Sequence, residues 1–512
     1  MRSYRYIFSI ILLLFTLGWS LWYVFAGFGN PQDPLYWLYK YEHLEGGWMT
    51  VGTLLTGGLF VRLFGAHLLP LRIFGWLCTT AAIALPYCAL QDREGRRDNL
   101  HWLALAFGLM GYGAFQEFSP GTLSVLLLSL LWVTQSPIVL GLAVAVRFPN
   151  ILALLVLLPL WKKKSLWKVP VAALTAGVIY LLGAFLLTPA PMDPAMSSHG
   201  LGDMIVKLWE NGGKAASYAL MWLGVVAIPL ITNYRLPITK YQFPILGIIV
   251  GAMLFYYVSY ATPVHQWYNI DLTYFISVGC LMLAVLTKRK ELLFGAAICV
   301  VASLGTDTAW LKLFPVSLCL LPVAAGTYEP KMRTYLFPVL VGLTAVTMVR
   351  FCNNSIGNYD LSKATVVSSV APYEGIRVQE NDERRMSRYK LDFDSLTSEN
   401  PVRVLALGED MHRMRAVTGC EAARFNEFWS NIFDSVYTAK YLEIIREEHP
   451  IVFCSFSPSF RTIPTYKNTQ SAMENMLREE GYREIDRKKY KYMIYIPTTN
   501  DQTPTTDDPE IQ

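Results

Sequence analysis

The 512-residue sequence predicts a mostly α protein: a polytopic transmembrane helical bundle followed by a small soluble α/β domain. Three observations predict it. Only 16% of residues are charged and 53% are hydrophobic, where soluble domains run at about 25% charged. The deficit is uneven, with long apolar runs from about Tyr6 to Phe351 and polar clusters such as "ENDERRMSRYK" after Asn358. Finally, the cations between apolar runs gather in short loops, the pattern that marks a cytoplasmic side. They are Arg2/Arg5, "DREGRR" (92–97), "KKK" (162–164) with Lys168, Arg235 with Lys240, "KRK" (288–290) and "KMR" (331–333).

Placing those loops inside sets the order of crossings, about 11 to 13 spans in all. The N-terminus "MRSYRYIFSIILLLFTLGWSLWYVFAGF" is basic at its start, its apolar run is too long for a signal-peptide core, and no small-x-small cleavage site follows, so span one is expected to be uncleaved and to cover about 6–27. Spans two and three follow at about 69–90 and 100–116. From Glu117 outside to Lys162 inside the number of crossings is odd. Pro137 and Pro149 interrupt this stretch, so one crossing plus a re-entrant or broken helix is expected. Later spans fall at about 168–188, 216–232, 242–260, 270–287, 291–305, 312–327 and 334–351. Residues 49–66 are apolar, but a further span there would invert every later loop. They are expected to lie along the outer interface, with Arg62 and His67 among headgroups.

The expected organisation is a membrane body at 1–351, whose outer loop 28–68 carries interfacial helices, then an extracytoplasmic α/β domain at 352–497. The acidic tail 498–512 is expected to be disordered. The N-terminus would be cytoplasmic. In the domain, "VRVLAL" (402–407), "HPIVFCSF" (449–456) and "YKYMIYIP" (490–497) read as strands. "SVYTAKYLEIIREEH" and "SAMENMLREEGY" read as amphipathic helices between them. "ALGEDMHRM" has a glycine after a strand but no phosphate-loop pattern, which argues against a nucleotide site. A Cys420–Cys454 disulfide is left open, since spacing alone cannot decide it. The net charge of +5 is accounted for by cytoplasmic anchoring residues and gives no reason to expect nucleic acid.

Ionisable residues at a membrane face are costly to keep there and are therefore functional candidates. Topology gathers nearly all of Asp33, Glu42, Arg72, Glu117, Arg147, His265, Tyr268, Asp271 and Asp307 at one face. Asp33 stands just beyond span one in "GNPQDPLYWLYKYEHLEGGW". Its continuation has helical spacing, with Tyr36, Tyr39 and His43 on one face and a Gly46-Gly47 stop. Glu42 and Glu45 read as solvated acids, and Asp271 as a helix cap. Arg72 is balanced between a phosphate ligand and a side chain snorkelling to headgroups. Asp307 has no assigned role.

The stretch "QDPLYWLYKYEHLEGG", followed by "LLTGGLFVRLFGAHLLPLRIFG", resembles the start of GT-C class glycosyltransferases, which include protein O-mannosyltransferases and the lipid A aminoarabinose transferase. "GAFQEFSPGTLSVLLLSL", "GLAVAVRFPNILALLVLLPLWKKK" and "TPVHQWYNIDLTYFISV" resemble later motifs of that class, in the same order, over roughly 1–290. One departure stands out: many members place two adjacent acids after span one, whereas Pro34 follows Asp33 here.

The resemblance implies an inverting transfer of a sugar from a polyprenyl-phosphate carrier to a glycan, lipid or protein acceptor outside the cytoplasm. It would take place in a multi-pass protein of the bacterial inner membrane, among membrane lipids. Asp33 would be the general base, and Glu117 would orient the acceptor or a metal. Arg147, then His265 and Tyr268, then Arg72, would hold the lipid phosphate and sugar as negative charge builds on the leaving group. No metal-ligand cluster stands out and no cofactor is assigned; a divalent metal is left open. The alternatives are another handler of polyprenyl-linked glycans (polymerase, ligase or flippase) and an inactive GT-C-like protein.

Overall fold

The computed structural model describes residues 2–26, 32–90, 99–110, 118–161, 165–189, 209, 212–213, 215–222, 270–303, 309–327, 340–341, 363–398, 403–408, 410–420, 443–455 and 474–498. The chain divides into two compact units. One is helical and takes most of residues 1–364; the other holds the C-terminal region from Thr365 together with Pro31–Tyr39.

In the helical unit, apolar runs make the long helices α1 (Arg2–Phe25), α4 (Leu68–Leu90) and α9 (Lys168–Leu186). All three are long and apolar enough to cross a membrane. Their outward residues are apolar too: Leu174, Leu181 and Phe185 of α9 are 60–79% exposed, a surface suited to hydrocarbon rather than water. These elements match the expected spans to within a few residues. Helix α5 (Asn99–Met110) covers the described part of span three. Helices Ile270–Leu286 and Lys290–Ser303 fall on the spans expected there. The span expected at 312–327 is two pieces, Ala309–Leu318 and Leu320–Thr327. The spans expected at 242–260 and 334–351, and most of 216–232, lie outside the described residues.

The stretch 118–161 forms three legs. Helix α6 (Pro120–Thr134) ends at Gln135, which takes a left-handed φ of 50° and returns its N–H to the Leu131 carbonyl. Pro137 then opens α7 (Pro137–Val146), where its missing N–H costs nothing. Arg147 breaks α7, and a 3₁₀ turn (Phe148–Ala153) leads into α8 (Leu154–Leu160). Three legs fit where three full spans would not, because fifteen residues rise only about 22 Å and ten only about 15 Å. Their directions alternate. Helix α6 starts just after Phe118, whose ring lies tilted 4.8 Å from that of Phe74 near the start of α4, and ends where Trp132 donates to the Glu291 carbonyl. Helix α7 returns, with its end held by Thr53, and α8 runs back to Trp161, beneath the Lys168 ammonium.

Helix α3 (Val51–Phe64) lies against the ends of several of these helices. A Cβ on Gly52 would come within 3.1 Å of the Ala145–Val146 backbone, and one on Gly183 within 2.3 Å of Val51. Phe60 stacks on Phe74 at 4.1 Å and lies 6.4 Å from Phe118. Leu59, Leu63 and Phe64 of α3 are more than half exposed, as on a helix at an apolar boundary. A two-residue parallel pairing, Glu45–Gly46 (β1) with Thr188–Pro189 (β2), ties the chain before α3 to the end of α9.

The C-terminal unit has a four-stranded sheet in the order β5 (Val404–Gly408), β6 (Ile451–Ser455), β8 (Tyr492–Pro497), β7 (Tyr482–Arg487). β5 and β6 are parallel; β6–β8 and β8–β7 are antiparallel. The three expected strands are all present. The fourth, "YREIDR", escapes sequence reading because four of its six residues are charged, and its burial pattern shows why: only Tyr482 is fully buried. A helix at 474–479 precedes it and stops at Gly481, whose φ of +77° favours glycine. The same unit holds a two-residue antiparallel pairing of β3 (Val366–Val367) with β4 (Arg377–Val378) and the helices Glu380–Thr397 and Met411–Thr418. Cys420 and Cys454 are both buried, and the disulfide left open by their spacing does not join them.

Candidate functional site

Asp33 lies in the first turn of α2 (Gln32–His43), and Pro34 also falls in that turn, where proline suits a helix start. The helix ends at Leu44, with a φ of 47°, ahead of the glycine pair. Its expected two-sidedness is present. Leu35, Leu38 and Tyr41 are buried on one side, and the Tyr41 hydroxyl donates to the Phe118 carbonyl at 3.1 Å. Phe118 directly follows Glu117, which itself lies outside the described residues, as do His265 and Tyr268.

The other side carries Tyr36 and Tyr39, one turn apart. Both belong to the C-terminal unit. Tyr36 meets the His412 ring edge-on at 5.8 Å, and the Arg415 guanidinium sits over the ring of Tyr39. His412 and Arg415 are themselves one turn apart on the Met411–Thr418 helix. Two helices thus meet rung against rung, with an imidazole on one tyrosine and a guanidinium on the next. Arg415 is only 7% exposed, so little water separates the cation from the ring.

That short helix is itself fixed by a buried charge network. Asp410 accepts from Arg385 at 3.2 Å and from the Tyr389 hydroxyl at 2.8 Å, while Arg413 donates to Asp382 at 3.1 Å. Burial opposes charge on Asp410, yet the Arg413 and Arg385 guanidiniums and the bonds from Tyr389 and Arg385 outweigh it, holding its carboxyl below the usual carboxylate range. Burial, and then Asp410, push the Tyr389 phenol far above its ordinary value. Further along helix Glu380–Thr397, Asp392 takes a fork of bonds from Arg487 at 3.0 and 3.1 Å and another from the Tyr492 hydroxyl. Both ends of that helix are therefore stapled, one to the Met411–Thr418 helix and the other to the sheet.

In the helical unit, Arg147 occupies the break between α7 and the 3₁₀ turn in extended backbone (φ −151°, ψ 109°), with 7% of its surface exposed. The break is rigidly framed. Asn150 donates to the Ala143 carbonyl at 2.8 Å and to Ser124 at 2.9 Å; Thr53 donates to the Val146 carbonyl at 3.0 Å. The Trp48 and Phe148 rings meet at 4.7 Å beside it. A cation fixed in such apolar surroundings is suited to an anionic group.

Arg72 is the most deeply buried of the expected site residues that are described, at 0% exposure. Its two terminal nitrogens donate to the Ala26 and Tyr23 carbonyls at 2.7 and 2.8 Å. They cap the end of α1, where carbonyls lack helical partners and the dipole favours a cation. This corrects the snorkelling alternative, because a fully buried side chain does not reach headgroups. Among the described residues no group of three metal-binding side chains occurs.

Sequence reading missed His412, Arg415, Asn150 and Thr53. The "MHRMR" spacing puts His412 and Arg415 on one helical face, a signal available in the sequence, but nothing local says what that face meets.

No protein-family model and no curated protein matches the chain. Among solved structures it is similar to one described as the crystal structure of ArnT from Cupriavidus metallidurans in the apo state. The likeness has 10% identity and a TM-score of 0.48, and covers 94% of this chain and 97% of that one. At that identity and score, no residue role here is taken from it.

Proposed function

We propose that this protein is an integral-membrane glycosyltransferase that moves a sugar from a polyprenyl-phosphate carrier to an acceptor hydroxyl on the non-cytoplasmic side. The observation that carries this reading is Arg147, a buried cation held at a framed helix break, at the end of the bundle where the chain following the acid-bearing helix docks. A lipid phosphate leaving in apolar surroundings needs such a fixed cation, because the developing charge is poorly solvated there. Asp33, in the first turn of α2, is the proposed base. It accepts the acceptor hydroxyl's proton as the new anomeric bond forms and the carbon–phosphate oxygen bond breaks, with inversion. Glu117, His265 and Tyr268 are proposed to assist in orienting acceptor and phosphate. Arg72 is proposed to act through the α1 end it caps.

The test is transfer by purified protein in lipid nanodiscs, with a panel of polyprenyl-phosphate pentoses and hexoses. Loss of a general base predicts that Asp33→Asn lowers kcat about 10²- to 10⁴-fold. Arg147→Ala should lower kcat/KM for the donor, with Arg147→Lys intermediate. Full transfer by Asp33→Asn would sink the base assignment.

A further inference from the structure

We infer that the C-terminal unit holds residues 33–39 of α2 in place, with His412 and Arg415 acting as positioning residues for transfer. This rests on the proposed role of Asp33, but its physical core stands apart from it. Asp33 is one turn from Tyr36 and two from Tyr39 on α2. Those two rings are the ones met by His412 and Arg415. Two contacts at matched one-turn spacing constrain the rotation and the axial position of that face more tightly than either does alone.

The holding helix is not free to follow. Its N-cap residue Asp410 is bound by Arg385 and Tyr389, and its Arg413 by Asp382. Arg385, Tyr389 and Asp382 all lie on helix Glu380–Thr397, whose Asp392 is locked to Arg487 of β7. The path from sheet to Asp33 is therefore continuous: β7, helix Glu380–Thr397, helix Met411–Thr418, α2. The domain takes no part in the bond changes; it supplies the rigidity that a proton acceptor needs, since misplacement by about 1 Å can cost about 100-fold in rate.

The experiment uses the full chain in nanodiscs and has two readouts. Hydrogen–deuterium exchange of the segment 33–39 is compared among wild type, Arg415→Ala, Arg415→Lys, His412→Ala and Tyr39→Leu. Exchange should rise there in Arg415→Ala, His412→Ala and Tyr39→Leu, and stay near wild type in Arg415→Lys. Exchange at 404–408 and 451–455 reports whether the domain itself remains folded; Tyr39→Leu leaves the sheet and its helices untouched should Arg415→Ala disturb them. The second readout is transfer from the polyprenyl-phosphate sugar that wild type accepts. Arg415→Ala and Tyr39→Leu should lower kcat about 10- to 100-fold with donor KM unchanged, and Arg415→Lys should recover most of it.

Unchanged exchange at 33–39 in both Arg415→Ala and Tyr39→Leu overturns the inference. So does raised exchange with wild-type kcat. If Asp33→Asn proves fully active, the base assignment fails by itself, and the exchange measurement still decides whether the domain holds the helix.

Discussion

The two compact units bury cations in different ways. In the helical unit the fully buried Arg72 is met by backbone carbonyls of Tyr23 and Ala26, and the break at Arg147 is framed by Asn150 and Thr53 donating to carbonyls of α7. In the C-terminal unit Arg385, Arg413 and Arg487 are met by the carboxylates of Asp410, Asp382 and Asp392. The difference follows from the surroundings. A carboxylate is costly to place among apolar helices, whereas helix ends supply carbonyl dipoles at no extra desolvation. A layer of helix on sheet can bury a few carboxylates, provided each keeps its guanidinium and hydroxyl partners.

That contrast predicts where each unit is vulnerable. The largest effect is expected from Asp410→Asn, which leaves Arg385 and Arg413 short of a buried anion. It should destabilise the C-terminal unit by about 3–5 kcal/mol, read as exchange or proteolysis at 404–408 and 451–455. A loss below about 1 kcal/mol would mean the network is a solvated one. Because the folded-state carboxyl of Asp410 lies below its ordinary value, its contribution is complete above the ordinary carboxylate range, about pH 4. It is lost as pH falls through the depressed folded value. Acid should therefore open the C-terminal unit while leaving the Arg72 lock closed.

Next in size is Arg72→Met, which keeps bulk but removes both charged donors to the end of α1. A cost of about 3 kcal/mol is expected, measured by denaturant titration in micelles. Unlike the first effect, it should not respond to acid, because the acceptors are the Ala26 and Tyr23 carbonyls, which do not titrate. A pH-dependent cost would break the contrast.

Close helix approach in the body gives a smaller effect. A Cβ on Gly141 would fall 2.5 Å from the Ala172 carbonyl oxygen, and backbone cannot step aside as a side chain can. Gly141→Ala should cost about 1–3 kcal/mol by pushing α7 from α9, seen in the same titration. Smallest is Thr53→Val, isosteric but without the hydroxyl bonded to Val146, at about 1 kcal/mol. If Thr53→Val also weakens donor KM, the frame around Arg147 shapes the phosphate site as well as the helix end.

Much of the fold is legible in local composition. Helices α1, α4 and α9 announce themselves by unbroken apolar length, α7 by Pro137, and the three buried strands by apolar runs. Asp33 stands out as an acid just after a long apolar run, and Arg147 as a cation among apolar residues. The strand Tyr482–Arg487 does not stand out, because its exposed face makes it look like a polar loop. Arg72 is legible as a cation at the start of an apolar run but not in its role, since the carbonyls it caps belong to another helix.

Local period and composition were enough to dictate which segments are helices, which are strands and where charge is scarce. The meeting of Tyr36 and Tyr39 with His412 and Arg415, and the closing of α1 by Arg72, were settled by the assembly of whole elements in three dimensions. Such pairings join residues far apart in the chain. Periodicity fixes the face a residue lies on; the packing of those elements fixes what that face meets.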